Sequence, residues 1–242
     1  MSFTKRYDTV DAATSAAVHH GWLASLGLPV PDLIAHHPQA LDFQRLPGRH
    51  ARPGDLPALG RLLGQAHAAS HRVALHAARL DCDLHVSGVG AVPAFTGDRT
   101  VRVRQLLDAD AVPGSALTGD QAADIIESAA AEPAAFYKDC NPRNFLITPT
   151  SISFVDFDDL TLAPYGYDLA KLIVTTAMTH GSLPDALVGA ALNAYNKTAP
   201  YPCTPQRLTD WTEIHHILTS PYMGRNGYTH SWHTPRPSER TT

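Results

Sequence analysis

Apolar residues along the chain alternate between two periods, and each period predicts a kind of element. Near the N-terminus, Ser2-Phe3-Thr4-Lys5-Arg6-Tyr7 alternates apolar and polar residues, as a short strand does. Lys5 shares a face with Phe3 and Tyr7. From Asp11 to Leu26 the period is helical, with Asp8 or Asp11 as cap and Gly27 as stop. Leu33–Ala35 and Leu41–Gln44 read as strands turning through residues 36–39, and Pro47-Gly48 breaks any element. Leu56, Leu59, Leu62, Leu63 and Ala66 return at helical spacing, so residues 55–70 form an amphipathic helix with Asp55 as a possible cap. Residues 81–113 are rich in glycine and proline, and residues 100–104 read as a strand or a helix start. Residues 120–131, capped near Thr118, then 164–178, 183–195 and 204–218, read as helices.

The most informative stretch runs from Tyr137 to Asp159. Phe145–Ile147 and Ile152–Val155 are short apolar runs separated by Thr148-Pro149-Thr150-Ser151, the pattern of a hairpin. Asp139 and Asn144 precede the first run and Asp156 follows the second, so the ribbon gathers three oxygen-bearing side chains at one end. Such a set suits a hard divalent cation such as Mg²⁺, which takes oxygen ligands together with substrate phosphates. Phosphoryl transfer asks for little else: positioning, charge neutralisation and a residue that orients the attacking hydroxyl. In that chemistry Asp139 is the base, and Asn144 and Asp156 are the metal ligands. The alternative is a hairpin with a capped polar turn and no metal.

Asp139-x-x-x-x-Asn144 followed by Asp156-Phe157-Asp158-Asp159 resembles the catalytic core of the aminoglycoside phosphotransferase and choline kinase-like family, relatives of the protein kinases. Tyr137 and Lys138 stand where the family usually has His-Gly. The resemblance spans roughly residues 3–195 and implies an α+β, protein-kinase-like fold: a reduced N-terminal lobe over 1–48, a mostly helical catalytic lobe over 49–223, and a loose or partner-ordered tail over 224–242. It implies ATP and Mg²⁺ as cofactors, with Lys5 on the nucleotide phosphates and Phe43, Gln44 and Arg45 as the hinge that meets adenine. Asp168, in Tyr167-Asp168-Leu169-Ala170, would brace the catalytic loop. Two family features are missing. No Glu occurs before Glu127 to pair with the strand lysine, and the strands and Gly-rich loop expected ahead of Lys5 have no counterpart in residues 1–4. Lys138, beside the base, is then a second phosphate contact, or another protein completes the site.

Composition narrows the field further. The chain has 242 residues, 44% hydrophobic and 17% charged, with net charge -4, so no basic excess points to nucleic acid or an anionic membrane. Cys82, Cys140 and Cys203 have no metal or disulfide-framework spacing, and no signal-like or membrane-length apolar run is present; a cytoplasmic protein is expected. His67 and His71, four apart on one helix, lack a third ligand and read as packing residues. Arg99, Arg102 and Arg104 read as a solvated face. The resemblance implies as acceptor a hydroxyl of a small-molecule antibiotic, or of a peptide Ser or Thr, since truncated phosphotransferases of this type resemble the kinases of class V lanthipeptide and thioamitide pathways, which act beside a lyase. The reading from a different class is a pseudokinase scaffold.

Overall fold

The computed structural model describes residues 2–232. Strand β1 (Ser2–Arg6) leads into helix α1 (Val10–Ser25), then β2 (Leu33–His37) and β3 (Ala40–Gln44). These strands form an antiparallel sheet in the order β1-β3-β2, with Lys5 opposite Leu41 and Phe3 opposite Phe43. Thr9, rather than either aspartate, caps α1, accepting a hydrogen bond from the Ala12 N–H at 3.1 Å. Helix α1 carries no carboxylate toward the sheet. His20 Nε2–H donates instead to Pro31 O at 2.7 Å, and His19 Nδ1–H donates to Phe157 O at 3.0 Å.

A two-residue strand β4 (Arg49–His50) and a 3₁₀ turn follow, then helix α2 (Leu56–Val73). Asp55 stands at the N-cap position of α2 but makes no side-chain cap there; its carboxylate closes the preceding turn through the Arg52 N–H at 2.8 Å and pairs with Arg49. A short hairpin, β5 (Leu84–Val86) and β6 (Gly90–Val92), precedes α3 (Thr96–Asp108) and α4 (Gly119–Ser128). Thr118 and Gln121 close a reciprocal capping box on α4. Residues 100–104 therefore lie inside a helix whose Val103 and Leu106 face the core. Arg99 is not a solvated arginine. It donates to Thr161 Oγ1 at 2.6 Å and lies over the Phe95 ring.

Strand β7 (Ala134–Tyr137) pairs antiparallel with β10 (Thr161–Pro164), and between them lies the hairpin of β8 (Phe145–Ile147) and β9 (Ile152–Phe154). Phe145 stands opposite Phe154, and Thr148 N donates to Ser151 O across the turn at 2.9 Å, as the sequence pattern implies. β4 joins the outer edge of β8. Helices α5 (Tyr167–His180), α6 (Asp185–Asn196) and α7 (Pro205–Thr219) complete the second lobe. Every residue of α5 from Tyr167 to Met178 is buried. Around this helix, α2 packs on α6 and α7 on α5.

The segment after α7 differs from the expected loose tail. Tyr228 and Trp232 are buried, Trp232 Nε1–H donates to Glu213 Oε1 at 3.2 Å, and the N–H groups of Thr229 and His230 both reach Met178 O. Residues 233–242 of that tail lie outside the described residues. Among the described residues no helix is long and apolar enough to cross a membrane.

Candidate active site

Between the two lobes lies a cavity of about 580 Å³, within the range of small-molecule and cofactor sites. Its walls include Lys5 from β1, Phe43 at the end of β3, Gln44 and Arg45 beyond it, Asn144 before β8 and Asp156 after β9. Six residues singled out from the sequence thus meet in one place. Phe3, Leu46, Leu146 and Phe157 make the apolar part of the wall, and Arg143 adds a cation. The N–H of Gln44 is engaged with Asp32 O at 2.8 Å, so that donor is not open to a ligand.

Lys5 finds the counter-ion that α1 does not provide. Its Nζ lies 2.5 Å from Asp156 Oδ1 and 2.7 Å from Asp158 Oδ1. Burial pushes the Lys5 amine down, but hydrogen bonds and charge from the two aspartates outweigh it and hold the amine above its usual value. The strand lysine is thereby tied directly to the loop that carries the candidate metal ligand. A third carboxyl, Asp159, is held above the usual carboxylate range by burial, then by Asp139, Asp158 and Asp156. Like charges crowded this way raise one another, and the Lys5 ammonium offsets part of that repulsion.

The loop after β7 turns at Asp139, whose φ of 53° lies in the left-handed region; Asp156 does the same at 71°. Non-glycine residues in that region cost energy and concentrate at functional sites. Asn144 Nδ2–H donates to Asp139 O at 2.8 Å, and Val155 N–H donates to Asn144 O at 2.9 Å. These two bonds lock the loop, the cavity wall and the end of β9 together. The Asp139 carboxylate accepts from Tyr137 Oη at 2.9 Å and Asn141 Nδ2 at 3.2 Å, and lies 3.3 Å from Lys171 Nζ. Burial alone would push this carboxyl up, but Lys171, Tyr137 and the Lys138 charge bring it below its ordinary value. The candidate base is therefore ionised at neutral pH. A profile of kcat/KM against pH is expected to lose activity through this group only below the usual aspartate value; an acid limb near neutrality would contradict that.

Lys138 corrects the sequence expectation. It directly follows Tyr137, the last residue of β7, and its side chain turns inward while the Tyr137 hydroxyl meets Asp139. Its amine is buried, donating to Val155 O at 3.2 Å between the rings of Phe154 and Phe157. It lies inside the protein and not on the cavity wall.

Below the loop, Gly166 N–H donates to Tyr195 Oη at 3.0 Å, and Tyr195 Oη lies 2.8 Å from His67 Nδ1. The hydroxyl, accepting from Gly166, donates to Nδ1, which leaves Nε2–H for Asp168 Oδ2 at 3.4 Å. His67 thus belongs to a buried relay that holds Asp168 under the catalytic loop, where the Cys140 thiol lies against it. Among the described residues no group of three or more His, Cys, Asp or Glu has the arrangement of a metal site; the candidate set here counts on Asn144.

Sequence reading missed two contributors. Lys171, on α5, lies 3.3 Å from Asp139 Oδ1. Arg143, on the loop, is clasped by the C-terminal segment: it donates to Asn226 O and lies 5.5 Å from the Tyr228 ring centre. The Tyr228 hydroxyl is pushed up to about 12, by burial and then by the Asp139 charge.

Two lobes with the nucleotide-sized cleft between them, an Asp-x-x-x-x-Asn loop and a following Asp define a kinase-like phosphotransferase acting on hydroxyl groups. The chain belongs to the phosphotransferase enzyme family (APH), whose profile matches residues 9–204. No curated protein sequence matches it. Among solved structures, an amicoumacin kinase in complex with AMP-PNP, Ca²⁺ and Ami is similar at a TM-score of 0.64 and 12% identity, covering 90% of this chain and 71% of that one. A putative fructosamine-3-kinase from Thermobifida fusca gives 0.60 and 19%, covering 94% and 81%. An aminoglycoside phosphotransferase from Streptomyces rimosus, bound to ADP and streptomycin, gives 0.57 and 15%, covering 89% and 85%.

Proposed function

We propose that the chain transfers the terminal phosphoryl group of ATP, held with Mg²⁺, to a hydroxyl of a small organic acceptor. The observation that carries this reading is the single cavity that unites Lys5, the Phe43–Arg45 segment, Asn144 and Asp156 next to Asp139. When bound, the metal–nucleotide supplies the transferable group and neutralises its charge. Phe43 and Phe157 offer apolar faces to a base, while Lys5, Arg45 and Arg143 supply cations for a polyphosphate. Asn144 and Asp156 would hold the metal. Asp139 orients the acceptor hydroxyl and takes its proton.

The test is calorimetric titration with AMP-PNP and Mg²⁺, followed by mass spectrometry of acceptors after incubation with ATP and Mg²⁺. Sugar-containing antibiotics form the first panel, since structural neighbours include kinases of that kind. A second arm uses Ser- and Thr-containing peptides with any copurifying lyase. Heat of binding that needs Mg²⁺, and a mass gain of one phosphate on an acceptor, are expected. Absence of nucleotide binding in every arm would leave the scaffold reading in its place. Asp156→Asn is expected to abolish the Mg²⁺ dependence and lower turnover about a hundredfold, because one carboxylate–metal contact contributes several kcal/mol in such sites. Undiminished turnover would remove Asp156 from the metal set.

A further inference from the structure

Lys171 is a charged residue in the wrong kind of helix. The stretch Tyr167–Met178 is buried from end to end, and an ammonium taken out of water there is costly unless it is paired. Its Nζ donates to Thr219 Oγ1 at 3.2 Å and lies 3.3 Å from Asp139 Oδ1. The neighbouring imidazole of His215 adds no charge: burial, then the Lys171 cation, hold it neutral, with Nε2–H donating to Tyr167 O at 2.9 Å. The cation is thus aimed at the catalytic loop.

The two carboxylate oxygens of Asp139 are treated differently. Oδ1 receives the Tyr137 hydroxyl at 2.9 Å as well as the Lys171 ammonium. A carboxylate oxygen has two lone-pair sites, so Oδ1 is filled from the protein side. Oδ2 receives Asn141 Nδ2 at 3.2 Å and keeps one site open. The side chain is about a third exposed, at 34%, so the carboxylate is not sealed from an incoming hydroxyl.

We propose that Lys171 is a positioning residue: together with Tyr137 it anchors Oδ1 of Asp139 and assigns Oδ2 as the atom that takes the acceptor proton. This rests on the phosphotransfer reading above. In the step, the acceptor O–H bond breaks with its proton passing to Oδ2. The acceptor oxygen forms a bond to the terminal phosphorus of ATP, and the bond from that phosphorus to the bridging oxygen breaks, with ADP leaving. Lys171 touches none of the reacting atoms. Its work is to fix the orientation of the group that does.

The test uses the full chain with ATP and Mg²⁺ and water as the acceptor, so that no natural substrate is needed. ADP release gives kcat and KM, AMP-PNP titration gives nucleotide affinity, and a thermal melt reports folding. Lys171→Met is expected to lower kcat about a hundredfold, the cost of a misplaced catalytic group, while KM and the AMP-PNP affinity stay within about threefold of wild type. Lys171→Gln, which retains an N–H donor for Oδ1 without the charge, is expected to regain about tenfold of that loss. Tyr137→Phe, which removes the other donor, is expected to lower kcat and leave nucleotide affinity alone; it decides the matter if Lys171→Met does not fold. Unchanged kcat in Lys171→Met, parallel loss of kcat and AMP-PNP affinity, or a Gln variant as poor as the Met variant would each overturn the assignment. A wild-type chain that neither binds AMP-PNP nor releases ADP would overturn the phosphotransfer reading as well.

Discussion

Asp139→Asn is expected to cut phosphoryl transfer about a hundred- to ten-thousandfold while nucleotide affinity stays near that of the native chain. The substitution is isosteric, so the change is chemical. An amide oxygen in place of Oδ1 can still accept from Tyr137 and face Lys171. The other atom becomes an N–H donor, and no lone pair remains to receive the acceptor proton. Asn144 reaches Asp139 through the backbone carbonyl and not the side chain, so the cavity wall carrying Asn144 and Asp156 is not disturbed. Steady-state turnover with an accepted hydroxyl substrate, alongside AMP-PNP titration, separates the two quantities. Native-like turnover in the variant would remove the base from the mechanism. Loss of nucleotide binding in step with turnover would make Asp139 a residue of the nucleotide site instead. A lowered melting temperature is also expected, because Lys171 would lose its anionic partner in a largely dry place.

Much of this site could be read from the chain because its parts are local. The β8–β9 hairpin is fixed by two apolar runs and a four-residue turn, and that alone carries Asn144 and Asp156 to the same end. Lys5 sits on a five-residue strand whose alternation is plain, and the register with β3 delivers it to the cleft. Failures came where a partner lies far off in sequence or where composition misleads. Lys138 is next to Asp139 in sequence, but it lies just past the end of β7 and its amine is turned inward onto Val155 O. In α3, the β-branched Val101 and Val103 weaken the local helical signal, and packing of Phe95, Val103 and Leu106 decides the conformation. The 224–232 segment has the glycines of a loose tail, yet Tyr228 and Trp232 find buried places on the second lobe. Two aromatics in such a segment were the available signal. Lys171 offered one as well: a single lysine inside an otherwise apolar run at Leu169–Val174 requires a counter-charge, and the nearest candidate chemistry was at Asp139.

Gly166→Ala is expected to destabilise the fold by about 2–5 kcal/mol, combining backbone strain of about 1–2 kcal/mol with overpacking of about 1–3 kcal/mol. Gly166 has φ of 88°, where a side chain is strained, and a Cβ there would lie 2.3 Å from Cys203 Sγ and 2.7 Å from Cys203 Cβ. Neither cost can be relieved cheaply, because Cys203 is itself pinned: its N–H donates to Asn196 Oδ1 at 2.9 Å and its carbonyl accepts from Asn196 Nδ2 at 2.9 Å. The position opens α5, so a displacement there moves the Gly166 N–H away from Tyr195, and with it the relay through His67 to Asp168. Lys171 rides on the first turns of the same helix. The consequence reaches activity as well as stability: the variant should melt lower and also lose turnover at temperatures where it remains folded. A double variant, Gly166→Ala with Cys203→Gly, set against Cys203→Gly alone, removes both the sulfur and the Cβ and separates the two causes. Recovery of roughly half the lost stability in a denaturant titration would assign that part to the clash, with the remainder to the backbone. A Gly166→Ala chain as stable as the native one would mean that the entry to α5 adapts freely, and the rigid seating of Asp168 and Lys171 beneath the catalytic loop would have to be given up.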